Sequence, residues 1–279
     1  MKLIIIPDLH GDFEEFYNIL KSFGITNQLF EDFTHGLFLK PIFFKKNFNL
    51  SNYKLVFLGD LLDSTMRESE PNLLKYSDMY VFYLANYLKE NFPNNIILIL
   101  GNHELMNMYS LFDYVNEYSV RSKNTLNYIR NKIKKNFLLS YKYNNICFTH
   151  ADVLEENIEN EILTFLRNDD KYIYDNNIIE IYNILYYRRI NSKYNEKTYN
   201  KYKYICFGHS VVDDIKFIKN QIYIDQAISK SFGISKKKYK IICFDENNKC
   251  DYLEITRSDY NVNYMHDFLK KFDGYFNSI

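Results

Sequence analysis

Short apolar runs alternate with polar, glycine-bearing tips along the first two thirds of the chain. Residues 3–7 lead into Asp8-Leu9-His10-Gly11-Asp12, and residues 54–58 into Gly59-Asp60. Residues 96–100 precede Gly101-Asn102-His103-Glu104. Residues 145–148 precede Thr149-His150-Ala151, and residues 204–207 precede Gly208-His209-Ser210. Each run has the length of a strand and ends in turn chemistry. Between them, apolar residues recur at helical spacing. Residues 71–91 carry Leu73, Leu74, Val81, Leu84, Ala85 and Leu88, with Pro71 suited to a first turn. Residues 13–23, 110–136, 152–167 and 176–190 read as helices in the same way. Strand and helix in alternation predict an α/β class with much parallel pairing.

The last third changes character. Residues 215–218, 221–224, 240–244 and 252–255 read as short strands. Lys219-Asn220 separates the first pair and Asn247-Asn248 the second, as in hairpins. A final helix is expected over residues 262–276. Residues 24–53 show no clear period beyond a short candidate strand at 37–44. There is no repeat and no Gly/Ser linker, so residues 1–279 read as a single domain.

Composition narrows the function classes. Lys+Arg and Asp+Glu are both 35, giving a formal net charge of zero. That leaves no basic excess for a nucleic-acid surface. Four Cys among 279 residues do not make a disulfide scaffold. At 47 % apolar and 18 % aromatic, the chain is too hydrophobic for intrinsic disorder. The apolar run 3–6 is shorter than the ~7–15 residues of a signal-peptide core or the ~20 of a spanning helix. A cytoplasmic location without membrane contact is the expectation, with the cysteines as thiols. Nothing in the pattern indicates an oligomeric state.

The chemistry sits at the tips. Ligands gather at the carboxyl ends of strands in α/β sheets. Those ends hold Asp8, His10, Asp60, Asn102, His103, His150 and His209. Burying so many ionisable groups without a partner is costly, and a metal is the natural partner. Carboxylate and imidazole donors favour zinc, iron or manganese over calcium or magnesium. Asp8 and His10 are two apart, so an extended chain points both the same way. Even six of these seven as ligands, from five tips, exceed one tetrahedral ion. They fit two ions sharing a bridging carboxylate. Asp12 and Glu104 stand at helix starts, where capping is the expectation. Cys147 and Cys206, each three residues before a His, read as buried core thiols.

Five blocks, Asp8-Leu9-His10-Gly11, Gly59-Asp60-Leu61-Leu62-Asp63, Gly101-Asn102-His103-Glu104, His150-Ala151 and Gly208-His209, stand in the order of a known family. The chain resembles the calcineurin-like metallophosphoesterases over residues 3 to 226. The nearer likeness is to the phosphoprotein-phosphatase branch, of Shewanella-like or diadenosine-tetraphosphatase type. Leu185-Tyr186-Tyr187-Arg188 looks like that branch's Leu-Trp-x-Arg segment, and Ile222-Tyr223-Ile224-Asp225 like its closing strand. The resemblance implies a four-layer αββα sandwich of two mixed sheets flanked by helices. It implies that Asp8, His10 and Asp60 hold one metal, and that Asp60, Asn102, His150 and His209 hold the other. The implied reaction is attack of a metal-bridging hydroxide on phosphorus. His103 would be general acid, with Asp63 orienting it. Arg188, with Asn102, would contact the phosphoryl group.

One position departs from the branch. Its usual Asp-Arg-Gly is here Asp63-Ser64-Thr65, so a phosphate-gripping Arg is missing from its place. The expected activity is hydrolysis of phosphomonoesters, on a phosphoprotein or a small phosphoester, as in Ser/Thr protein phosphatases. The departure leaves two alternatives standing. One is a diadenosine-polyphosphate or phosphodiester hydrolase, and the other a catalytically weak binding module.

Overall fold

The computed structural model describes residues 1–25, 50–62, 77–109, 123–153, 156–168, 181, 185–188, 190, 199–228 and 237–257. The expected strand at 37–44, the expected helix at 262–276, and Asp63 with Ser64 lie outside them.

Two mixed sheets organise these residues. The larger contains β1 (Lys2–Ile6), β2 (Tyr53–Phe57), β3 (Ile96–Ile99), β4 (Phe137–Leu138), β10 (Lys238–Phe244) and β11 (Cys250–Thr256), in the order β11-β10-β1-β2-β3-β4. From β1 to β4 the pairing is parallel, while β10 and β11 add on antiparallel. The smaller sheet contains β5 (Ser140–Tyr143), β6 (Ile146–Thr149), β7 (Tyr204–Phe207), β8 (Lys216–Ile218) and β9 (Gln221–Tyr223), ordered β5-β6-β7-β9-β8. Here β6, β7 and β9 run parallel, and β5 and β8 close the two edges antiparallel.

Strand parity explains the layering. In β1, Leu3 and Ile5 join Val56, Leu58, Ile97 and Ile99 in a core shared with Phe148, Cys206 and Ile222 of the smaller sheet. Ile4 and Ile6 belong to a different core, with Leu55, Phe57 and Leu98. Side chains alternate faces along a strand, so a strand buried on both faces must be apolar throughout. That is why residues 3–6 carry no polar position. The second core is completed by helices α1 (Phe13–Ser22), α2 (Ser77–Asn91), α3 (Asn102–Tyr109) and α4 (Lys123–Asn136), through Phe16, Ile19, Leu84, Leu105 and Ile129. A fifth helix, α5 (Glu156–Asn168), contributes Leu166. A third core of Cys147, Ile205, Phe207 and Tyr223 covers the outer face of the smaller sheet. Two facing sheets with helices packed outside are the expected α/β sandwich.

Local chemistry sets the ends. Asp12 caps α1 as expected, its carboxylate accepting the Glu15 N–H at 3.0 Å. Gly24, at φ 71°, follows α1, and its N–H donates to the Lys21 carbonyl. Lys219 and Asn248 take φ of 54° and 59° in the two predicted hairpins. No helix among the described residues is long and apolar enough to cross a membrane.

Phe148 is fully buried between the sheets, stacked on Tyr141 and edge-on to Phe244, each with a centroid separation of 6.1 Å. Phe148→Ala is expected to destabilise by about 3–5 kcal/mol in urea unfolding. A loss below about 1 kcal/mol, the scale of an average substitution, would mean the sheets do not pack through it.

Candidate metal centre

Five strand tips from two sheets meet at one place. β1 delivers Asp8 and His10, β2 Asp60, and β3 Asn102 with His103; β6 delivers His150 and β7 His209. All are buried. The backbone is bent to do this. His10, Asp60 and His209 take φ of 42°, 50° and 55°, a region that costs non-glycine residues energy. Such strain persists where surrounding bonds over-determine it, and it clusters at functional sites.

The tips of β6 and β7 differ in a way their sequences do not show. Cys-Phe-Thr-His and Cys-Phe-Gly-His look equivalent, but Cys147 pairs with Ile205, and Phe148 with Cys206. The strands are offset by one residue. Both thiols are buried as expected, yet Cys147 joins the outer core and Cys206 the inter-sheet core. The extra residue before His209 is absorbed by its left-handed turn.

Asp60 lies at the centre. Donor atoms of His10, Asp60 and His103 all fall within 4.8 Å of one another, and so do those of Asp60, His150 and His209. His10 Nε2 and His103 Nε2 are each 3.8 Å from Asp60 Oδ2, while His150 Nε2 is 3.5 Å from Oδ1. The His10 and His103 rings meet edge to face at 4.8 Å. Asp60 Oδ1 also accepts the His103 backbone N–H at 3.0 Å. Asp8 turns one oxygen to the His209 N–H at 2.9 Å. Asp225, at the end of the β9 tip, is buried beside Asp8. By donor geometry alone, His103 groups with His10 and Asp60, whereas Asp8 falls in neither group.

Burial and charge set the protonation states. Burial drives Asp60 up, but His150, His103, His10 and His209 outweigh it and hold the carboxyl below its usual range. Asp8 is pushed well up by burial and by the Asp225 and Asp60 charges. Burial lowers His150, and burial with His150 pushes His209 down to about 3. Neutral imidazole is the form that binds a metal.

The donor set fits a cation. The His150 Nδ1 donates to the Leu58 carbonyl at 2.7 Å, which leaves Nε2 as an acceptor. That Nε2 faces another acceptor, Asn102 Oδ1, at 2.9 Å. Two facing acceptors are satisfied by a cation. The His209 ring bonds the Tyr186 backbone, and its Nε2 has no hydrogen-bond partner among the described residues. Asp8 Oδ1 is buried in the same condition. Carbonyl-oriented imidazoles of this kind are how proteins aim metal ligands.

Arg188 is exposed, and its Nη1 donates to the His209 carbonyl at 2.9 Å. It therefore stands at the rim of the second group. The tyrosine before the Tyr187-Arg188 pair, Tyr186, sets its ring edge-on to His209 at 5.7 Å. The Tyr186 carbonyl, within the Leu185–Arg188 segment, and Asp225, ending the Ile222–Asp225 segment, are further neighbours of the site. Position in the chain gave no signal for the first, since any residue offers a carbonyl. Asp225, ending an apolar run, was visible as one more acidic strand tip.

Comparison with known proteins agrees with this geometry. A family model, calcineurin-like phosphoesterase, matches residues 1–213. Among curated proteins, no sequence relative matches the chain. The solved structure of a mutant cold-active protein tyrosine phosphatase superposes with a TM-score of 0.60. It is 16 % identical, with 92 % of this chain and 80 % of that one covered. A protein serine/threonine phosphatase from Saccharomyces cerevisiae, described as similar to human phosphatase PP5, gives a TM-score of 0.54 at 15 % identity. There, 94 % of this chain and 81 % of the other are covered. At these identities the likeness is one of fold. The family model spans well over half of the chain, and the chain belongs to the calcineurin-like phosphoesterases, metal-dependent phosphoester hydrolases.

Proposed function

We propose that residues 1–279 form one domain that hydrolyses phosphomonoesters with two metal ions, in the manner of Ser/Thr protein phosphatases. The observation that carries this reading is the membership of Asp60 in both donor groups. Asp8, His10 and Asp60 would hold one ion, and Asp60, Asn102, His150 and His209 the other. Manganese, iron and zinc suit this mixture of imidazole and carboxylate. When bound, the ions supply Lewis-acid polarisation of the phosphoryl group and a nucleophile at neutral pH.

The protein's own groups do the rest. Leu58 and Tyr186 offer carbonyls that fix the tautomers of His150 and His209, so that each presents Nε2. His103 is the general acid. Its Nε2, 3.8 Å from the Asp60 carboxylate, carries the proton to the leaving oxygen. Asp63, as the resemblance implies, would orient His103. One guanidinium nitrogen of Arg188 is spent on the His209 carbonyl, and the remaining N–H groups grip phosphoryl oxygens. Both similar structures are of protein phosphatases, which supports a phosphomonoester substrate. Ser64, standing where the branch has an Arg, favours a second reading: a diadenosine-polyphosphate or phosphodiester hydrolase.

Purified protein is expected to hydrolyse p-nitrophenyl phosphate in Mn²⁺ and to lose turnover in a chelator. A phosphopeptide and diadenosine tetraphosphate, compared by product analysis, separate the two readings. Cleavage of the dinucleotide without release of phosphate from either monoester would overturn the first.

A further inference from the structure

Glu104 is fully buried beside the site but belongs to neither donor group. Read from the sequence it is a first-turn residue of α3 and a capping carboxylate. Its bonds reach further. Oε2 accepts the backbone N–H of Asp60 at 2.8 Å and of Gly101 at 3.1 Å. Oε1 accepts those of Leu61 at 2.7 Å and Leu62 at 3.0 Å. Three of these four donors come from the turn after β2, which bends through Gly59 at φ 101° and Asp60 at φ 50°. A non-glycine residue there is strained, so the surroundings must impose the conformation.

Two consecutive residues of α3 grip Asp60 from opposite sides. The His103 backbone N–H binds the Asp60 carboxylate, and the Glu104 carboxylate binds the Asp60 backbone N–H. Gly101 makes room for this, because a Cβ there would come within 2.8 Å of Glu104 Oε2. We infer that Glu104 is a positioning residue for Asp60: by gathering the N–H groups of Asp60, Leu61 and Leu62, it turns Asp60 so that one carboxylate serves both donor groups. The inference rests on the two-metal reading above.

The partners of the clamp dictate that both of its oxygens accept. All four are N–H donors, two to each oxygen, so only an acceptor-only group satisfies them. An amide of the same shape sets its NH₂ against two backbone N–H groups in either orientation. Glu104→Gln therefore disturbs the turn while leaving the chemical identity of every donor in both groups unchanged.

The test is Mn²⁺ binding by titration calorimetry, with Mn²⁺ paramagnetic resonance reporting whether the ions sit as a coupled pair. Glu104→Gln is expected to weaken Mn²⁺ binding by ~10–100-fold, the range for losing an outer-shell partner, and to diminish the coupled signal. The control is Glu159→Gln. Glu159 is a buried carboxylate that accepts the Ser140 N–H and hydroxyl and belongs to neither group. It is expected to bind Mn²⁺ like the wild type. Wild-type affinity in Glu104→Gln, or equal losses in both variants, would overturn the positioning role. Should Glu104→Gln fail to fold, Glu104→Asp, which withdraws the carboxylate by one methylene, carries the same prediction and the same refutation. Wild-type protein that binds no Mn²⁺ would instead refute the two-metal reading, and the inference with it.

Discussion

Asp60→Asn is expected to abolish metal-dependent turnover and to weaken Mn²⁺ binding at both donor groups together. The substitution is isosteric, and an Asn oxygen can still accept the His103 N–H that Oδ1 accepts now. The lost quantity is one negative charge, shared among four imidazoles. Every other member of the two groups serves one side only. Removing an outer-shell partner typically costs ~10–100-fold, and a ligand common to both ions should exceed that range. Calorimetry on the wild type and the variant reads the result. Loss of one binding event with the other intact would show that the groups are independent, and that Asp60 does not join them.

The second large effect concerns His103. A general acid contributes about 10²–10⁴-fold, and most where the leaving group needs its proton. His103→Asn should therefore reduce kcat severely on phenyl phosphate and much less on p-nitrophenyl phosphate, whose phenolate leaves unprotonated. Mn²⁺ binding should change little. The geometry makes this a real contest, because His103 Nε2 lies as near to Asp60 as His10 Nε2 does, both at 3.8 Å. Equal losses on the two substrates, together with weakened Mn²⁺ binding, would make His103 a ligand and not an acid.

Much of the fold and the site is legible in the sequence. The parallel strands show because they are buried on both faces, so residues 3–6 and 96–99 are uninterrupted apolar runs. Their tips show because sharp turns need residues such as Gly59, and because chemistry-bearing side chains follow at once. The edges were harder. Ser140–Tyr143 forms β5, but each of its side chains is half-buried, and Ser-Tyr-Lys-Tyr gives no contrast between core and solvent. β4 is two residues long and continues directly from α4, so it read as neither helix nor strand.

The site was legible as a list of residues and not as a geometry. Nothing along the chain shows that β6 and β7 are offset by one residue, because register is a property of the pair. The reach of Glu104 was equally hidden, since its partners at Asp60 and Leu62 lie 44 and 42 residues earlier. A carboxylate at a helix start looks the same from sequence whether it caps its own helix or clamps a distant turn. The departure at Ser64 stays a fact of sequence, because Ser64 lies outside the described residues.

The central claim is that one carboxylate joins two metal ions. Anomalous diffraction from crystals of the protein soaked in Mn²⁺ tests it directly. The account predicts two peaks ~3.5–4 Å apart, the spacing of a two-metal phosphoester site, with the Asp60 carboxylate between them. A single peak, or two peaks that do not share Asp60, would contradict it.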